Sequence, residues 1–231
     1  LRRQVAEALA DPLRKALDQS RPGGPWRFNA DDIAARSLAN TAMSLLVGAR
    51  DEEAAKRAVE LYRNADNMTD RYAALSSVVH ARLDAAEVLL ADFEKRYADN
   101  PLVMDKWFSV QAQVAADSTV EKVEQLLAHP AFSMKNPNKV RSLLGVFGVH
   151  NPSAFHRKDG AGYRLMGAMV RKLDALNPQV AARLVGLFNR WADFDQDRAR
   201  QMREQLEAIK AISGLSPDVD EIVSAALKRE G

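Results

Sequence analysis

The chain has 231 residues, 47% hydrophobic and 28% charged, enough to bury a sizeable core as one large domain or two small ones and too apolar for long disorder. Its 33 basic and 31 acidic side chains leave a formal charge of +2, so the overall balance makes no case for nucleic acid or an anionic membrane. The absence of cysteine excludes disulfides and thiolate chemistry and agrees with a reducing compartment, while no apolar run approaches the ~18 residues of a membrane helix and no signal-like core opens the chain.

Helix formers dominate, with eleven Gly and nine Pro in the whole sequence, and Leu1 in place of Met points to a piece of a longer polypeptide. Val5, Ala6, Leu9, Leu13, Ala16 and Leu17 recur at helical spacing, so a first helix spans Arg2–Asp18 and Pro12 kinks or splits it. The Gly- and Pro-rich segment that follows, SRPGGPWRFNA from Ser20, reads as an ordered surface loop pinned by Trp26 and Phe28. Asn29 and Asp32 approximate a capping box for a second helix with Ile33, Leu38, Ala42, Leu45 and Leu46 inward, ending near Gly48. A third runs from Asp51 to Arg63 on Ala55, Val59 and Tyr62. Thr69 is expected to cap a fourth on Tyr72, Leu75, Val78 and Val79, and Asp84 opens a fifth through Val88, Leu89, Ala91 and Phe93 to Tyr97.

Asn100-Pro101 starts a sixth helix with Met104, Trp107, Phe108 and Val114 inward, and Ser118 with Glu121 forms a full capping box for a seventh that His129-Pro130 ends. Asn-Pro pairs then recur at Asn136, Asn151 and Asn177. In each, Asn can accept a bond from a first-turn amide while Pro sits where a missing N–H costs nothing. These pairs predict a helix from Asn136 to Phe147, a short turn after Asn151 and a helix from Asn177 to Phe194, with another from Gly162 to Leu176 between them. A charged helix from Asp195 to Ile212 (Met202, Leu206, Ile209) and one from Ser216 (Val219, Ile222, Val223, Ala226, Leu227) close the chain.

About a dozen helices joined by short loops make neighbours antiparallel, so the expected fold is all-α, an irregular superhelical array of the HEAT/armadillo kind. No fixed-period repeat is present. Nothing after the Gly-rich loop near residue 20 reads as a linker, so residues 1–231 are expected to form one continuous domain.

Catalytic signatures are missing. His150 and His156 lie six apart across a Pro, the wrong spacing for HExxH, and His80, beside Val79 and Arg82 on a helix, reads as structural or half exposed, so no metal site is expected. There is no G-x-S-x-G, P-loop or dinucleotide fingerprint, and DGAG from Asp159 reads as a turn before a helix. What remains is a basic cluster, Lys135, Lys139, Arg141, Arg157, Lys158, Arg164, Arg171 and Lys172. Val140, Leu143, Leu144 and Phe147 make one buried stripe and leave Arg141 at its flank. Val180, Leu184, Leu187, Phe188 and Trp191 do the same for Arg183. Two such arginines suit a carboxylate, which a guanidinium binds bidentately; the bland alternative is a solvated face. Nucleic-acid binding is weakened by the interspersed Asp159 and Asp174 and by the near-neutral total. An independent helical scaffold that binds a protein or peptide along its concave face is the other reading.

The runs NPNKVRSLLGVF from Asn136, NPSAFHRKDGAGY from Asn151 and LNPQVAARLV from Leu176 resemble the end of the bacterial aminopeptidase N family, M1-type zinc-dependent enzymes. The match is dense over residues 132–194 and looser from Leu1 onward. The resemblance implies the C-terminal helical domain of a cytoplasmic, monomeric enzyme that removes N-terminal residues from peptides. Such a domain packs on the catalytic domain, caps the active site and restricts access. Zinc, its ligands and the general base belong to that other domain, so this chain is expected to supply no catalytic residue and no metal ligand and to be inactive alone. Carried over residue by residue, Arg141, Gln179 and Arg183 are the positions implied to line the cavity and hold the C-terminal side of a bound peptide. Arg157 and Lys158 depart from a less basic family pattern, either as surface drift or as a device that raises the positive potential near the cap.

Overall fold

The computed structural model describes residues 2–229, with no strand among them. The chain is all-α, as its composition and spacing predict. Two compact units follow one another, residues 1–98 and 99–231, and the division falls in the short connection after Tyr97; the Gly-rich loop near residue 20 lies inside the first unit.

In the first unit, α1 (Arg2–Ala8) and α2 (Ala10–Gln19) are separate helices. The split leaves Pro12 in the first turn of α2, where its missing N–H removes no intrahelical bond. Then come α3 (Ala30–Gly48), α4 (Glu52–Asn64), α5 (Met68–His80) and α6 (Ala86–Tyr97). The central element is α3, which packs against α1, α2, α4 and α5, and α6 leans on α5. Asn29 caps α3 by accepting from the Asp32 amide at 2.8 Å, as expected, and Asp51 caps α4 by accepting from Ala54 N at 2.9 Å. The cap of α5 is Asn67, 2.9 Å from the Asp70 amide, and Thr69 lies inside the first turn.

The buried face of α3 differs from the expected one. Asp32, Arg36, Ala39, Met43 and Leu46 face inward at an unbroken 4-3-4-3 spacing, and Ile33 and Leu38 are 46% and 51% exposed. The polar pair tolerates burial because each has a partner: Asp32 accepts from Arg27 Nε at 3.0 Å, and Arg36 Nη2 donates to the Arg27 carbonyl at 2.7 Å. The preceding loop is therefore tied down by polar contacts, with Asp66 accepting from the Trp26 amide at 3.0 Å. Its aromatics do not pin it: Trp26 is 47% and Phe28 81% exposed.

In the second unit, α7 (Pro101–Ala112) and α8 (Thr119–Leu127) precede α9 (Pro137–Val140), which runs through a π-turn (Arg141–Gly145) into α10 (Val146–His150). Then follow α11 (Pro152–Phe155), α12 (Ala161–Asp174), α13 (Pro178–Val185), α14 (Gln196–Lys210) and α15 (Pro217–Leu227). Each Asn-Pro pair starts a helix as expected: Asn100, Asn136, Asn151 and Asn177 accept from backbone amides at 3.2, 2.9, 3.2 and 3.2 Å. Helix α12 packs against α8, α11, α13 and α14, and both α13 and α14 reach α15. Between them lies an aromatic core in which the Phe155 ring is 5.9, 5.4 and 6.1 Å from those of Phe147, Tyr163 and Phe188.

Two expectations fail in this unit. Ser118 makes no capping bond, because its backbone is already near-helical and Glu121 turns to Arg157 at 3.0 Å; Thr119 Oγ1 donates to the Val114 carbonyl at 2.6 Å instead. Helix α13 ends at Val185, nine residues short of Phe194, and gives way to 3-10 turns at Gly186–Phe188 and Trp191–Asp193. Gly186 is a weak helix former, and Trp191 is drawn off the helical path by its indole N–H, which donates to the Ala226 carbonyl of α15 at 3.0 Å.

Candidate functional site

The run from Pro137 to His150 is buried on most of its circumference. Val140, Leu143, Leu144 and Phe147 form the expected stripe, and Lys139, Ser142 and Gly148 are buried as well. Arg141, the first residue of the π-turn, is exposed between them, and its guanidinium makes no hydrogen bond or ion pair among the described residues. A π-turn inserts one residue into the helical ladder and re-aims what precedes it, and such turns recur at functional sites.

Gln179 and Arg183 stand four apart on α13, so they share one face, and both are exposed with no side-chain partner among the described residues. The Asn177 cap and Pro178 fix where that face begins. The run carrying Arg141 and the 3-10 turn that follows α13 meet at Gly148, where an added Cβ would stand 2.3 Å from Leu187 Cδ1. Arg141 is about two helical turns and Arg183 about one turn along the chain from that contact.

In the rest of the basic cluster, Lys139, Arg157 and Arg164 are engaged by neighbouring groups. Lys139 is buried against Asp105 at 2.8 Å. Arg157 is clamped by Asp159 at 2.8 Å and Glu121 at 3.0 Å and also reaches the Asp117 carbonyl, so these carboxylates push its pKa up and neutralise its charge locally. That pairing removes the basis for an added positive potential at Arg157. Arg164 donates to the Asp159 carbonyl at 2.6 Å, which closes the DGAG turn over Gly160 in a left-handed conformation (φ 70°). Lys135, Lys158 and Lys172 are exposed.

His156 has a structural setting. Its Nδ1 is 2.8 Å from the Tyr163 hydroxyl, its ring stacks on Phe194 at 4.4 Å, and its carbonyl accepts from Arg198 Nε at 2.7 Å. Burial, and then the Arg198 charge, lowers its pKa below 6.5. No group of three His, Cys, Asp or Glu side chains among the described residues is placed to hold a metal, and none of the described helices is long and apolar enough to cross a membrane.

A feature not expected from the sequence is an open cleft of about 490 Å³ in the first unit. Trp26 and Phe28 rim it, and Ser37, Thr41 and Ser44 of α3 face Thr69 and Ser76 of α5 across it. The signal was present as hydroxyl side chains at 4-3 spacing on α3, but it acquires meaning only once α3 and α5 pack together.

The family described as a domain of unknown function (DUF3458_C) with ARM repeats matches residues 1–228. The chain belongs to that family. ARM repeats stack short helices into a solenoid, in accord with the all-α architecture. The chain is 39% identical to aminopeptidase N of Escherichia coli (strain K12) over 98% of its length and 39% identical to aminopeptidase N of Haemophilus influenzae over 97%, covering 26% of each relative. A crystal structure of Legionella pneumophila aminopeptidase A in complex with aspartic acid superposes with a TM-score of 0.88 at 29% identity, over 98% of this chain and 27% of that one. The chain thus spans about a quarter of the length of these relatives, and the resemblance read from the Asn-Pro runs holds over nearly its whole length.

Proposed function

We propose that this chain is the helical domain of a cytoplasmic zinc aminopeptidase, where it caps the active site, restricts entry to peptides and holds the C-terminal side of the substrate. In this reading the zinc, its ligands and the general base lie in another domain, packed against this one in a monomeric enzyme. The isolated chain, which has no HExxH, then cleaves nothing. Homology to aminopeptidases over 98% of the chain supports the class of enzyme. The observation that carries the site assignment is the position of Arg141 and Arg183 on the exposed flanks of two buried stripes, both without a carboxylate partner among the described residues; Arg50, Arg63 and Arg82 are also exposed and unpaired, so it is position and not the missing partner that singles out the two.

An unpaired guanidinium is free to take a peptide carboxylate in a bidentate grip, with Gln179 beside Arg183 as a neutral donor. Such contacts bind and orient the peptide and leave the chemical step to other groups. The test is to substitute Arg141→Ala and Arg183→Ala in the aminopeptidase that carries this chain and to compare a dipeptide with its C-terminal amide. A lost charge-assisted bond raises KM for the free acid about 10- to 100-fold with kcat little changed, and leaves the amide nearly unaffected. Equal effects on acid and amide would remove the carboxylate role.

A further inference from the structure

The π-turn that carries Arg141 is braced by α7. Lys139 Nζ donates to the Asp105 carboxylate at 2.8 Å and to the Pro101 carbonyl at 2.6 Å, and it lies 5.6 Å from the centre of the Phe108 ring. Lys139 is 5% exposed. Ser109 Oγ lies 2.9 Å from the Ser142 carbonyl and 2.8 Å from the Asp105 carbonyl of its own helix, so its one proton is shared between the two, and Ser142 Oγ donates to the Lys139 carbonyl at 3.0 Å. A buried ion pair adds little stability over apolar residues of the same shape, because desolvation offsets the attraction; its best-attested use is to fix a register. The register at stake here is that of the π-turn. Shifting the ladder from i−4 to i−5 disturbs the usual carbonyl partners, and Ser109 supplies a donor to one carbonyl inside the turn. If the turn relaxed to α-helix, Lys139 and Val140 before it would rotate by about 100° relative to the Leu143, Leu144 and Phe147 core, and Arg141 would shift from the middle of the exposed strip, between buried Val140 and Ser142, to its edge.

We propose that Asp105 and Ser109 are positioning residues for Arg141, holding the π-turn through Lys139 and the Ser142 carbonyl so that the guanidinium stands out of an otherwise buried helix to meet the substrate carboxylate. This rests on the peptide-carboxylate reading above. Removing one partner of the pair would strand a buried charge, so the informative variants are Ser109→Ala and the paired Asp105→Leu with Lys139→Met. In the enzyme carrying this chain, both are expected to lower the preference for a free-acid dipeptide over its amide by about 3- to 10-fold through KM, with kcat retained. In an Arg141→Ala background they should lower it no further, the non-additivity of residues acting through one group. A lowered preference in Arg141→Ala beside an unchanged one in both α7 variants overturns the positioning role and leaves the carboxylate reading standing. An unchanged preference in Arg141→Ala overturns both.

Discussion

Gly162, the second residue of α12, is a sharp test of the packing described above, because two effects oppose each other there. Inside a helix Ala is favoured over Gly by up to ~1 kcal/mol, so propensity alone says Gly162→Ala stabilises. The tertiary contact says the reverse: an added Cβ would stand 2.4 Å from the Phe155 carbonyl oxygen, 2.9 Å from its Cα and 3.0 Å from its carbonyl carbon. Ordinary contact begins near 3.4 Å, so backbone has to part by about 1 Å, and no flexible side chain is there to yield. Moving α11 away means moving Phe155, which is buried among Phe147, Tyr163 and Phe188. Overpacking of this kind costs ~1–3 kcal/mol or more, which outweighs the propensity gain, for a net loss of ~1–2 kcal/mol. At ~2–4 °C per kcal/mol for a chain of this size, the melting temperature followed by far-UV circular dichroism falls by several degrees. Gly48→Ala is the control: that helical position has nothing within 4 Å of the added Cβ, and the substitution should raise stability by ~0.5–1 kcal/mol. A Gly162→Ala variant that melts at or above the parent would refute the close approach of α11 and α12.

Two further outcomes follow from single residues. Asn151, 1% exposed, caps α11 through Oδ1 and gives its amide to the Ala112 and Val114 carbonyls at 2.9 and 2.7 Å, so Asn151→Ala should cost ~2–4 kcal/mol in urea unfolding. Asn151→Asp keeps the cap acceptor but points a carboxylate at two carbonyls, so it should restore nothing; rescue by Asp would show that capping alone matters. The depressed pKa of His156 sets a pH dependence: below about 6.5 the unfolded chain takes up a proton that the folded His156 resists. Stability from this group is whole above about pH 7 and is lost as pH falls through 6.5 toward the folded pKa, and His156→Gln should flatten that slope in midpoints measured from about pH 7.5 to 5.5.

The positions of helix starts were legible in the sequence to within a residue or two at Asn29, Asp51, Asn100, Asn136, Asn151, Asn177, Asp195 and Ser216. Each start depends on one side chain and amides no more than three residues ahead. The same reasoning failed at Thr69, where Asn67 offers an acceptor two residues earlier, and at Ser118, whose hydroxyl caps only from an extended backbone. The outward heading of Arg141 and Arg183 was legible from the stripes beside them. The π-turn was not, because nothing in RSLLG departs from ordinary helical spacing; the braces at Asp105 and Ser109 lie more than thirty residues earlier.

By itself the sequence determined the all-α class, the helix boundaries set by local caps and the kinship of the Asn-Pro runs, since each depends on residues within a few positions of one another. Tertiary structure alone decided which charges are free. Lys139 and Arg141 are two residues apart in one basic run, yet the first is neutralised against Asp105 in the interior and the second stands unpaired in solvent. Arg157 stays charged but is paired with Asp159 and Glu121 in the same way. The physical reason is that a cap is satisfied by the backbone next to it, whereas a charge is satisfied by whatever the fold brings within a few ångströms, and sequence distance does not record that.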